Sequence, residues 1–155
     1  MIQFVKVFDK ANIAYRVYGF DSEHESLTEK AEDGRLYIPE DVRFYPFKDW
    51  NESLQKAIPK LGSIHRCAFN GNPDYQGLFL TIQDIAKRPE KRKVVFFLTD
   101  SLSVNKAHMK YLDTLANGLG ITVIGIGIQS DEVKECYKHS VVIEDLKDMA
   151  SSTFT

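Results

Sequence analysis

The apolar run Val94-Val95-Phe96-Phe97-Leu98 lies between Lys93 and the polar triplet Thr99-Asp100-Ser101. An unbroken run rich in β-branched and aromatic residues predicts a strand buried on both faces. The run over 121–128, Ile-Thr-Val-Ile-Gly-Ile-Gly-Ile, predicts a second such strand, and 140–143 a short third one. Between these, apolar residues recur at helical spacing. One helix is predicted over 1–11, with Ile2, Val5 and Phe8 on one face and Asn12 as its stop. Another follows an Asn51 cap and carries Leu54, Ala57 and Ile58, with Pro59 disturbing its end. A third covers 75–87 with Leu78, Ile82 and Ile85. A fourth runs from a Ser103 or Asn105 cap to Asn117, burying Met109, Leu112 and Leu115 and ending at Gly118 and Gly120. Short helices are predicted over 131–137 and 146–154.

The first third of the chain is less regular. A strand is predicted over 13–20, ending at Asp21-Ser22, and a polar loop over 22–33. The aromatic, proline-interrupted stretches 34–39 and 42–47 read as edge strands or extended segments. Their aromatic residues suit a lid packed on the core, with a ligand cage as the alternative. Strands alternating with helices over short connections predict an α/β protein. The expected architecture is a single domain over 1–155, a doubly wound, three-layer, Rossmann-like fold with a mostly parallel central sheet.

That architecture gives Asp100 a special position. Open α/β sheets bind ligands beyond the carboxyl ends of their strands, and Asp100 follows such a strand. Thr99, Asp100 and Ser101 together offer the oxygen donors that a hard cation such as Mg²⁺ prefers. The alternative is that Asp100 and Ser101 turn the chain and cap the next helix.

Composition narrows the function. The chain has 155 residues and a formal net charge of −2, so it lacks the basic footprint of a nucleic-acid or anionic-membrane binder. The cluster Lys87-Arg88-Pro89-Glu90-Lys91-Arg92-Lys93 reads as a solvated connection into the strand. Cys67 and Cys136 are far apart without a CxxC pair, which fits a reducing compartment and a cytoplasmic location. No apolar run is long enough to span a membrane.

Familiar catalytic patterns are missing. Gly125-x-Gly127 lies inside an apolar run with Ser130 where a dinucleotide fingerprint needs glycine, so these glycines read as points of close approach. His24, His65, His108 and His139 have no zinc spacing. There is no GxSxG elbow and no GxxxxGK[ST] phosphate loop. What remains is two loops, Asn70-Gly71-Asn72-Pro73-Asp74 and Thr99-Asp100-Ser101-Leu102-Ser103, which could offer Asn72, Asp74 and Asp100 to one cation.

Several stretches carry a family resemblance: 69–74 with its following helix, 88–93 leading into a strand ending Thr99-Asp100, then Leu102-Ser103-Val104-Asn105, Ile124-Gly125-Ile126-Gly127-Ile128 and Val141-Val142-Ile143-Glu144-Asp145-Leu146. Together they resemble a von Willebrand factor A domain, and more narrowly the C-terminal A domain of the cobaltochelatase subunit CobT. The segments 13–20 and 44–50 resemble that domain's second strand and its Tyr/Lys/Trp segment. The resemblance implies a Mg²⁺-dependent adhesion site on three loops, with Asp100 at the third-loop position, Asn72 where most A domains have Thr, and Asp74 beside it. Ser101 and Ser103 are candidates close to the ion. It further implies a non-catalytic subunit of an ATP-driven cobalt chelatase of cobalamin biosynthesis. Such a subunit would join an AAA+ ATPase partner, in a hetero-oligomer, through a carboxylate that the partner donates to Mg²⁺.

The likeness begins at the helix that follows the family's first strand. The family's Asp-x-Ser-x-Ser loop occurs nowhere in the sequence, so the chain is expected to lack that strand, either by truncation or because a neighbouring polypeptide supplies it. Two alternatives stand beside this reading. One is a Mg²⁺-dependent phosphoryl-transfer enzyme with Asp100 at the metal, although no Asp-x-Asp or suitably placed Lys accompanies it. The other is an interaction module that keeps the fold without a metal.

Overall fold

In a computed structural model, the structure describes residues 2–22, 42–66, 73–100 and 106–144. The chain divides into two compact units, one holding the first two described segments and the other holding the rest. The predicted strand over 34–39 and the predicted helix over 146–154 lie outside the described residues.

The first unit begins with helix α1 (Ile2–Lys10). Asn12 ends it in the left-handed region, at φ 52°, and the Ile13 amide donates back to the Phe8 carbonyl at 3.0 Å. That is the bond pattern of a Schellman stop, with Asn in the role usually taken by Gly. The chain then leads into β1 (Val17–Ser22), not into a strand from 13 to 20 as the pattern predicts. Ile13 is tied into the helix stop and is 52% exposed, so the strand starts later.

β1 pairs antiparallel with β2 (Val42–Lys48). Val17 faces Lys48 and Tyr18 faces Pro46, so Phe47 is the extra residue of a bulge. The bulge breaks the in–out alternation and turns both Phe47 and Lys48 inward, which a regular strand could not do. Helix α2 (Leu54–Gly62) then packs Leu54, Ala57 and Leu61 against Val5, Tyr15 and Phe47. Its N-cap is Ser53 rather than Asn51, because Asn51 is held inside a turn closed by the Glu52 amide on the Asp49 carbonyl at 3.1 Å. Ile58 faces outward, 44% exposed. A short 3₁₀ turn, Ile64–Arg66, follows.

The second unit runs α3 (Asp74–Ala86), β3 (Lys93–Thr99), α4 (Lys106–Gly118), β4 (Ile121–Ile128), α5 (Val133–Cys136) and β5 (His139–Ile143). The three strands form a parallel sheet in the order β3-β4-β5, in register at Phe97 with Gly125 and at Ile126 with Val141. The mixed α/β class and the parallel pairing are as predicted. Among the described residues, however, the strands form two sheets, and β1–β2 is antiparallel.

β3 also departs from the prediction of burial on both faces. Val95, Phe97 and Thr99 are buried, whereas Val94 is 43% and Phe96 37% exposed. The helices α3 and α4 cover one face: α3 packs on β3 and α4 on β4. In α4, Met109 and Leu112 are buried as expected, but Asp113 and Ala116, rather than Leu115, complete the buried row. α4 ends in a turn in which Gly120 takes φ 72°, a conformation that favours glycine.

Candidate functional site

α3 packs along β3 and reaches it through the short connection 87–92. A helix of 13 residues is about 20 Å long, and a parallel strand of 7 residues about 23 Å. Running back along the strand, α3 therefore begins near the end where β3 finishes. Asp74 is the first residue of α3, and Asp100 follows the last residue of β3. The two carboxylates thus belong to the same, carboxyl-terminal edge of the parallel sheet.

Their environments differ. Asp100 is exposed, whereas Asp74 is 3% exposed. The first turn of α3 is buried throughout, with Tyr75, Gln76 and Gly77 beside Asp74. Asp74 stands in the first turn of the helix, at the positive end of the helix dipole. Tyr75 stacks on Phe79 at 6.3 Å and meets His108 of α4 edge-on at 5.9 Å, tying the start of α3 to α4. Both amide atoms of Gln76 are buried without a hydrogen-bond partner among the described residues.

Asn72, Ser101 and Ser103 lie outside the described residues. Asp74 and Asp100 are carboxylate donors of the kind Mg²⁺ takes, so the chemistry of the pair fits the ion. Among the described residues no three His, Cys, Asp or Glu side chains form a metal-binding group.

The glycines of β4 do what their place inside a strand suggests. A Cβ on Gly125 would fall inside the Tyr137 ring, and one on Gly127 would fall on the Ser130 carbonyl. Gly125 therefore admits Tyr137 to the sheet surface, where its ring centroid lies 6.1 Å from that of Phe97. Tyr137 is 4% exposed, and burial first, then the Asp74, Cys136 and Asp113 groups, push its phenol far up. Asp113 accepts the Lys138 amide at Oδ2, 3.2 Å away, while its Oδ1 is buried without a partner among the described residues. Cys136 is a free, buried thiol that burial pushes up. Sequence reading missed Tyr137 and Asp113. The one signal for Tyr137 was the paired glycines, which require something large against them.

No protein-family model matches the chain, no curated protein matches it, and no solved structure matches it. Among the described residues no helix is long and apolar enough to cross a membrane.

Proposed function

We propose that this chain is a von Willebrand factor A-like interaction domain with a three-layer, Rossmann-like arrangement. In this reading it acts, in a reducing cytoplasmic compartment, as the non-catalytic, CobT-like subunit of an ATP-driven cobalt chelatase. Asp100, Asn72 and Asp74 hold Mg²⁺, with Ser101 and Ser103 close by, and an AAA+ ATPase partner completes the ion with a carboxylate of its own. The observation that carries this reading is the exposed Asp100 at the carboxyl end of β3, with Asp74 opening the helix packed on that strand. Because the sequence holds no Asp-x-Ser-x-Ser, the donors of that loop come from outside these residues. Binding of Mg²⁺ by this chain alone is then weak.

Thermal melts with and without Mg²⁺, on the wild type and on Asp100→Ala, test the site. At Mg²⁺ tenfold above its Kd the folded state gains about 1.4 kcal/mol, and Asp100→Ala should gain none. A wild type that ignores millimolar Mg²⁺ overturns the metal. Capture of an AAA+ chelatase subunit in Mg²⁺ but not in EDTA tests the partner.

The burial of Asp74 favours a second reading, a metal-free interaction module. Partner capture that is equal in Mg²⁺ and EDTA would select it.

A further inference from the structure

The first unit holds a cavity of about 260 Å³. Asp9, Asn12, Ile13 and Tyr15 line it from the end of α1 and the segment that follows, and Lys48, Trp50 and Glu52 from the end of β2 and the turn beyond it. At about 30 Å³ for each water of the liquid, the space equals roughly nine waters. Both parts of its wall are held by the backbone. The Asn12 amide donates to the Asp9 carbonyl at 3.1 Å, and the Ile13 amide to Phe8 at 3.0 Å. In the turn, the Asp49 amide donates to Glu52 Oε2 at 3.2 Å, the Trp50 amide to Asp49 Oδ1 at 2.7 Å, and the Glu52 amide to the Asp49 carbonyl at 3.1 Å.

The charged groups of the lining are unequally committed. An ammonium has three N–H donors. Lys48 gives one to the Tyr15 carbonyl and one to the Asp49 carbonyl, both at 3.0 Å, and its nitrogen stands 3.9 Å from the centre of the Tyr15 ring. That cation is spent on the protein and has no donor left for an anion in the cavity. Glu52 is partly neutralised, because its Oε2 accepts from Lys60 Nζ at 2.7 Å. Asp9 is exposed, and its carboxylate makes no hydrogen bond or ion pair among the described residues. The lining therefore sets two carboxylates against one committed ammonium. It adds aromatic residues, whose ring faces attract cations, and Ile13, an aliphatic side chain left 52% exposed by the stop of α1.

We propose that this cavity binds a small organic cation, a primary ammonium on a flat or apolar body, with the ammonium at the Asp9 carboxylate and the body against Trp50 and Ile13. Mg²⁺ suits the cavity less well, since it takes oxygen donors and keeps several of its waters, and gains nothing from an aromatic and aliphatic wall. None of the residues of the candidate metal site takes part, so neither reading depends on the other.

Trp50 is the only tryptophan of the chain, so its fluorescence reports on the cavity directly. The probe is benzylammonium chloride, titrated into the whole chain at about pH 7 in EDTA, at constant ionic strength. The emission should change saturably, with a Kd on the order of 10 mM or tighter for a ligand of about eight heavy atoms. Benzyl alcohol, which has the same body without the charge, should bind at least about tenfold more weakly, and Asp9→Asn should weaken benzylammonium by a similar factor. Because the Asp9 carboxylate carries no bond within the fold, Asp9→Asn should keep the wild-type melting temperature to within about 4 °C. In ¹⁵N spectra of the wild type, the amides of Asn12, Ile13 and Ala14 should shift along the same titration while those of β4 stay. A quench that rises linearly without saturating, equal binding of the alcohol, or wild-type affinity in Asp9→Asn overturns the proposal. So do amide shifts that leave Asn12, Ile13 and Ala14 untouched. With EDTA present throughout, failure of the Mg²⁺ reading would leave this outcome unchanged.

Discussion

The Lys48 ammonium stands 3.9 Å from the centre of the Tyr15 ring and donates to the Tyr15 carbonyl at 3.0 Å. It donates equally to the Asp49 carbonyl at 3.0 Å, so one buried cation fastens the segment entering β1 to the segment leaving β2. Lys48 is 3% exposed. Lys48→Met keeps the apolar stem but leaves both carbonyls without this donor, and should cost about 1–3 kcal/mol in urea denaturation. An unchanged midpoint would show that the ammonium is not the fastener.

The same pair sets an alkaline signature. Burial first, and the Asp9 carboxylate second, raise Tyr15 above its ordinary value of 10.0. A raised group contributes stability that is complete below the unfolded value and is lost as pH climbs through the folded one. Lys48 has the opposite sign: burial lowers it against the pull of Glu52, Asp9 and Asp49. The cost of its buried charge is therefore relieved as pH approaches the ordinary lysine value of 10.5. Melts between about pH 7 and about pH 11 should show a flatter alkaline decline for Tyr15→Phe and a steeper one for Lys48→Met.

Asp21 is fully buried and accepts from Arg43 Nε at 2.9 Å, Arg43 Nη2 at 3.2 Å and the Tyr45 hydroxyl at 3.0 Å. The Arg43 side chain is 39% exposed, so the two halves of the pair are not equivalent. Arg43→Met leaves a carboxylate that water cannot reach with the Tyr45 hydroxyl but without the guanidinium charge, and should cost about 3–5 kcal/mol. Asp21→Asn leaves a guanidinium that water can reach, and should cost less. A reversed order in chemical denaturation would mean that the carboxylate, not the guanidinium, is the better hydrated partner.

Gly125→Ala and Gly127→Ala should both destabilise the protein, by about 1–3 kcal/mol or more. They should respond differently to a second change. The Gly125 Cβ meets the Tyr137 side chain, so Tyr137→Ala should absorb part of the penalty; the Gly127 Cβ meets the Ser130 backbone, which no side-chain substitution removes. Additive stabilities for Gly125→Ala with Tyr137→Ala would contradict that geometry.

Val94 and Val95 are neighbours, yet one is 43% and the other 6% exposed. Val94→Thr should fall within about 0.5 kcal/mol of the wild type, whereas Val95→Thr buries a hydroxyl and should cost about 1–3 kcal/mol. Equal costs would mean that both faces of β3 are sealed.

Much of the order of elements was legible because it depends on local spacing and on residues that act alone. Asn12 ended α1 by its own tolerance of positive φ, and the glycines of β4 announced a close approach. What depends on distant partners was hidden. An unbroken apolar run cannot say which face a helix covers, so β3 was read as sealed on both sides. The bulge at Phe47 follows from the pairing of β2 with β1, and Ser53 displaces Asn51 as a cap because a turn has already claimed Asn51. At the candidate site, Asp100 and Asp74 were recognisable from their places at element ends. Tyr137 and Asp113 were not, since only the packing of three helices on one sheet face brings them together.

Cys136 closes α5 with its sulfur sealed from solvent and its thiol held protonated by burial. Such a thiol is poorly reactive while the helix stays docked and becomes available only in moments when it lifts. In a Cys67→Ser background, the rate at which a maleimide captures Cys136 is therefore an internal clock for that event. It times the loosening of the segment that holds Tyr137 in place, without any reporter being added to the chain.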